Sequence, residues 1–202
     1  IVLYILAIFG AGMLVYFGGG FIKTLLKLDA KAGLTVEVLN GTADVYLDNL
    51  KLGATPFSSS NIKPGNHTIK IQNGTRVYQT DMKFISDGAT TPIVDIKRDL
   101  GVSDIFSSGQ NAWYEKNDSG TVLSLISEPN GAAVFIDGTE IGRTPFSSNT
   151  LTSGEYDLRI EYPGYEAQTS RVVIQKGYNL NMSAKLFPTP VLAKNSLFEG
   201  ST

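Results

Sequence analysis

His67 is the one histidine of this 202-residue chain, and there is no cysteine to join it. A nucleophilic relay needs an imidazole oriented by a carboxylate and set beside a serine or cysteine. His67 instead falls on the apolar phase of the alternating run His67-Thr68-Ile69-Lys70-Ile71, where a half-buried structural ring is expected. Zinc would require several His or Cys ligands, and none cluster. Asp48 and Asp137 recur at equivalent places, but neither is followed by further carboxylates at calcium-loop spacing, so both are expected to shape turns. The glycines at 18–20 are separated from Lys23-Thr24 by Phe21 and Ile22, and a phosphate loop needs Lys-Ser/Thr directly after its last glycine. The expectation is therefore a non-enzyme with no metal and no cofactor. What is left for recognition is aromatic. Trp113 and Tyr114, with Tyr162, Tyr165 and Tyr178, are flat side chains of the kind that stack on sugars or fill interface pockets. The competing reading has them folded back onto a domain.

The elements that would position them come from a duplication. Residues 43–88 align with residues 132–177 at an offset of 89 without a gap, and 15 of the 46 pairs are identical. Such a match marks a repeated unit. Each copy carries the same punctuation. Asp48-Asn49 and Asp137-Gly138 are two-residue hairpin turns, where positive φ is tolerable for Asp or Asn and cheap for Gly. Gly53 and Gly142 end the return strand. Thr55-Pro56 and Thr144-Pro145 then impose an extended exit, with Phe57 and Phe146 expected to plug the core. Gly65 and Gly154 open the next strand.

Alternation of period two runs through Tyr156, Leu158 and Ile160 and through Leu180, Met182, Ala184 and Leu186, as half-buried strands require. The fold class expected is all-β, with two tandem small β-sandwich domains at 33–98 and 121–187, each of six strands. Residues 99–120, polar and dotted with Gly and Ser, read as a linker, and residues 188–202 as a C-terminal tail.

Residues 1–22 carry no charge, and a helix of that length spans the ~30 Å hydrocarbon core. The expectation for 1–28 is a transmembrane helix with its juxtamembrane segment; a cleaved signal would have an apolar region of only about 7 to 15 residues. From Gly33 onward there are 14 Lys and Arg against 18 Asp and Glu, a formal charge of −4, so nucleic acid is not an expected partner. Lys23, Lys27 and Lys31 follow the span and favour a cytoplasmic side. The five Asn-x-Ser/Thr sequons at Asn40, Asn66, Asn73, Asn117 and Asn181 are compatible with the outside.

Pro129-Asn130-Gly131-Ala132, the Asp-Gly turn, Gly-x-Thr-Pro, the Gly154 turn and Pro163-Gly164-Tyr165 stand in an order that resembles the PEGA domain. The first copy shows Asn40-Gly41-Thr42-Ala43 at the signature and is more divergent. The resemblance implies a surface-layer-like, prokaryotic, non-catalytic module that often follows a membrane anchor, and it makes Tyr165 part of a structural Gly-Tyr corner. The function expected is a single-pass, membrane-anchored cell-surface spacer or interaction stalk with extracytoplasmic domains. The alternatives are a cell-wall or carbohydrate-binding module, or a stalk for a further C-terminal domain. The partners expected are the membrane and either cell-wall polymer or other surface proteins.

Overall fold

The computed structural model describes residues 30–86, 91–103 and 106–189. The expected membrane helix lies outside the described residues, as does the tail from 190. Among the described residues there is no α-helix, and no helix is long and apolar enough to cross a membrane. The chain is all-β.

The first copy contributes β1 (Ala32–Val38), β2 (Asp44–Leu47), β3 (Leu50–Ala54), β4 (Phe57–Ile62), β5 (Gly65–Asn73), β6 (Arg76–Phe84) and β7 (Ile93–Asp99). After β8 (Ser108–Lys116), the second repeats the series: β9 (Val122–Glu128), β10 (Ala133–Ile136), β11 (Thr139–Arg143), β12 (Phe146–Ser148), β13 (Gly154–Glu161), β14 (Gln168–Ile174) and β15 (Tyr178–Lys185). Among the described residues each copy thus has seven strands, not the six expected. The extra one follows Thr-Pro in both copies. It was masked because β4 and β12 are outermost strands of a sheet, and FSSSNI, with one buried residue, lacks the apolar alternation of an inner strand.

Two four-stranded sheets, β3-β2-β5-β6 and β11-β10-β13-β14, belong one to each copy. The third sheet belongs to both. Its order is β4-β1-β7-β8-β15-β9-β12, so the expected linker at 99–120 contains the central strand of a continuous seven-stranded sheet. β8 pairs antiparallel with β7 on one side and with β15 on the other. Within each half the first and last strands of the copy run parallel, with Val36 opposite Ile96 and Leu125 opposite Met182. The two sandwiches are therefore fused through a shared layer.

Side-chain alternation on β8 decides which face serves which core. Trp113 packs against the first cluster, with Leu34, Val36, Ile69, Ile71, Phe84 and Ile96. Tyr114 joins the second, with Leu123, Leu125, Leu158, Ile160, Leu180 and Met182. Consecutive residues of one strand thus enter two hydrophobic cores on opposite faces, and the copies' four-stranded sheets cover opposite sides of the common sheet.

Candidate functional site

Asp48, Asn49, Asp137 and Gly138 all have positive φ, at 49°, 67°, 48° and 81°, the pair of left-handed residues that a tight hairpin matched to strand twist requires. The aspartates have a second task. Asp48 Oδ1 accepts the Thr68 amide at 3.0 Å, and Asp137 Oδ1 accepts the Asp157 amide at 2.9 Å, tying each turn to the neighbouring strand. In the first copy His67 is added. Its Nδ1 lies 2.5 Å from Asp48 Oδ2 and its Nε2 donates to the Lys63 carbonyl at 2.8 Å. The His67 hydrogen bond, then the Thr68 amide, hold the Asp48 carboxyl below its ordinary value.

A His-Asp pair invites a catalytic reading, but both ring nitrogens are occupied within the fold, and the ring edge meets Phe84 at 5.5 Å. The equivalent Tyr156 donates its hydroxyl to the Thr152 carbonyl at 3.0 Å, four residues back like Lys63 from His67. Histidine and tyrosine hold the same loop. No group of three or more His, Cys, Asp or Glu suited to a metal occurs among the described residues.

The Gly-x-Thr-Pro motif closes onto the signature tetrapeptide. Thr55 and Thr144 are buried. Thr55 Oγ1 accepts the Ala43 amide at 2.9 Å. Thr144 Oγ1 accepts the amides of Ala132 at 3.0 Å and Gly131 at 3.1 Å and meets Ser127 Oγ at 2.5 Å. Both Thr-Pro bonds are cis. A Cβ on Gly142 would sit 2.6 Å from the Phe146 ring, and one on Gly53 would sit 3.2 Å from the Phe57 ring. The glycine is the seat of the phenylalanine, and each ring packs against its copy's core. Pro56 and Pro145 are exposed at these exits, while Gly65, Gly154 and Gly164 stand at the starts of β5 and β13 and in the turn before Tyr165.

The aromatic surface expected from Trp113, Tyr114, Tyr162, Tyr165 and Tyr178 does not assemble. Tyr114 and Tyr178 are buried edge to face, 6.2 Å apart, and Tyr114 donates its hydroxyl to the Val173 carbonyl at 2.5 Å. Burial, reinforced by the Asp95 charge, pushes the Tyr114 phenol up to about 12. Trp113 is half-buried against the first core. These three serve packing because β8, which carries Trp113 and Tyr114, and β15, which carries Tyr178, are inner strands of the common sheet with a hydrophobic core against them. Tyr162 and Tyr165, half-buried and 5.6 Å apart in an edge contact, border a recess of about 380 Å³ with Phe135, Glu140 and Arg143.

A buried polar network holds β8 to the first copy. The Arg98 guanidinium lies 3.8 Å from the centre of the Tyr78 ring and donates to the Tyr78 hydroxyl at 2.6 Å and to Asn111 Oδ1 at 3.0 Å. Asn111 Nδ2 donates to the same hydroxyl at 2.7 Å. Burial lowers the Arg98 pKa against the opposing pull of Tyr78, and the guanidinium stays charged. Nothing in the polar run SGQNA had signalled that these side chains lie inside.

The hairpin turns, the threonine clip and the glycine seat recur in both copies, and one family profile matches each copy. That profile, of the PEGA domain, matches residues 32–89 and 121–190, together more than half of the chain. The chain belongs to the PEGA domain family. No curated protein and no solved structure matches it. Within the PEGA frame the repeated aspartates, threonines and Gly-Phe pairs each have a fold-building partner, and the two PEGA copies meet at the Arg98, Tyr78 and Asn111 network.

Proposed function

We propose that this chain is a non-catalytic, membrane-anchored cell-surface protein in which two PEGA domains act as one rigid spacer or interaction stalk. The observation that carries the reading is the seven-stranded sheet running through both copies. A flexible tether would leave two domains free to reorient; here a shared central strand with hydrogen bonds to each side holds them in one body. The uncharged segment at 1–22 supports a single-pass anchor with the PEGA pair extracytoplasmic. Protease treatment of intact cells carrying an epitope after Thr202 tests this. Digestion is the expected result; protection that is lost on lysis overturns the surface assignment. Turnover of a cell-wall substrate by the purified protein would overturn its non-catalytic character.

A second reading, binding of cell-wall polymer or another carbohydrate, draws on the Tyr162 and Tyr165 recess, since paired rings offer a stacking platform. It predicts reduced retention on cell-wall polymer for Tyr162→Ala, and unchanged retention removes it.

A further inference from the structure

On the face of the common sheet that bears the second core, the first copy's half has no four-stranded partner among the described residues. Glu37 of β1 and Ile93, Asp95 and Lys97 of β7 look out there, and β14, the free edge of the second copy's sheet, overhangs them. Between lies a cavity of about 360 Å³, within the size range of sites for small organic ligands. Its existence follows from one small residue. Asp95 sits opposite Thr35 and Asn181 opposite Ser124, which makes them equivalent in the two copies. Beside Asn181, β8 carries the indole of Trp113; beside Asp95 it carries the methyl of Ala112.

The lining has unmet hydrogen-bonding capacity. Asp95 Oδ1, Gln110 Oε1, Ser170 Oγ and Gln175 Oε1 are buried and have no partner among the described residues. Three are acceptors and the hydroxyl accepts as well. Gln110 is only 5% exposed, so no turn toward bulk water satisfies it. One such orphan costs about 1–3 kcal/mol, and four facing one cavity ask for a donor. The charges point the same way. Lys97 is held by Glu37 at 3.7 Å and Arg171 by Glu155 at 3.2 Å. Asp95, the remaining charged group of the lining, has no opposite charge at ion-pair distance among the described residues.

We propose that this cavity binds an organic cation, an ammonium or guanidinium on a short apolar stem. Its N–H groups engage the Asp95 carboxylate and the Gln110, Ser170 and Gln175 oxygens, and its stem lies along Ile93 and Met182. A guanidinium brings five donors in a planar fork and an ammonium three, enough for every orphan oxygen, and charge assistance strengthens each bond. Such a group arrives either on a free amine or on a Lys or Arg side chain of another protein; the recognising chemistry is the same.

The test uses the whole chain with labelled Ile, Val and Met methyl groups, titrated by NMR with n-butylguanidinium, n-butylammonium and, as the uncharged control, n-butanol. Saturable shifts of Ile93, Val172 and Met182 are expected with the cations and not with the alcohol, while the Trp113 indole on the opposite face stays still. Asp95→Asn, which installs the residue the second copy already has, should weaken binding by roughly tenfold or more, about 1.4 kcal/mol. Ala112→Leu should abolish it by filling the cavity. A glycine-flanked arginine peptide titrated alongside separates the sources: tighter binding than n-butylguanidinium assigns a protein side chain, and weaker binding a free amine. No saturable shift with either cation, equal affinity in Asp95→Asn, or an equal response to n-butanol overturns the proposal.

Discussion

In the first copy the part of the core nearest β8 is filled by the Arg98 guanidinium, stacked on Tyr78 and bonded to Asn111. In the second copy the residue equivalent to Arg98 is Ala184, 4% exposed within a hydrocarbon cluster, and closure falls to Tyr114 and Tyr178. The Asp turns and the outer cation-over-ring pairs, Lys70 on Tyr46 and Arg159 on Phe135, recur in both, and so does the threonine clip, with one more amide in the second copy. The copies diverge where they share a strand. A single β8 alternates its side chains between two faces, so it cannot offer both cores the same residue, and each core is completed by what the strand leaves it.

The sharpest way to break this comparison is to take the shared strand out of one core at a time. Tyr114→Ala and Trp113→Ala should each cost about 3–5 kcal/mol, the usual range for a large aromatic removed from a core, read as a fall in urea midpoint. If the common sheet couples the copies, both variants retain a single transition by fluorescence and by far-UV dichroism; two separated transitions would mean that the copies unfold independently.

Next comes the polar closure. Arg98→Ala leaves the buried Asn111 Oδ1 without its donor and a void beside the Tyr78 ring and should cost about 3 kcal/mol, whereas Arg98→Met, filling the volume with hydrocarbon as the second copy does, should cost clearly less. Equal losses would show that packing alone, and not the network, holds that end.

The clip supplies a smaller contrast. Thr144 Oγ1 accepts two amides where Thr55 Oγ1 accepts one, so Thr144→Val is expected to cost about 2 kcal/mol and Thr55→Val about 1. The ranking, measured by thermal unfolding, is the checkable result.

The smallest expected effect has the opposite sign. Burial raises the Asp95 carboxyl above its ordinary value, with Lys97 pulling it down and Glu37 pushing it up; Arg171 on β14 and Tyr114 on β8 also face this cavity. The folded protein therefore keeps that proton to higher pH than the unfolded chain. Its contribution is fully favourable below the ordinary carboxylate range and is lost as pH rises through the folded value. Asp95→Asn should accordingly melt higher than the parent at pH 7, with the gap closing toward pH 3.

How far the sequence reached follows from how each residue declares itself. The duplication, the all-β class, the hairpins at Asp48 and Asp137, and the packing of Phe57 and Phe146 were legible because turn chemistry and period-two alternation are local signals. β8 was not. Ser108, Gln110 and Asn111 are polar residues buried to 5% exposure or less, and burial of that kind depends on partners from both copies, Tyr78 and Arg98 among them. The aromatic set failed for the same reason: Trp113 and Tyr114 look like a binding surface only until the strand carrying them is known to have a sheet on either side. The Asp95 cavity had no sequence signal at all, since it is made by the absence of a side chain at Ala112.

The strand directions in the common sheet carry a mechanical consequence. β1 runs parallel to β7, and β8 is antiparallel to both β7 and β15, so β1 and β15 point the same way. The chain enters this sheet at Ala32, at the start of β1, and leaves it at Lys185, at the end of β15. Tension between those two points acts along the strand axes, across ladders whose hydrogen bonds lie transverse to the pull. Such a load must shear many bonds at once, whereas a perpendicular pull would open them one by one like a zip.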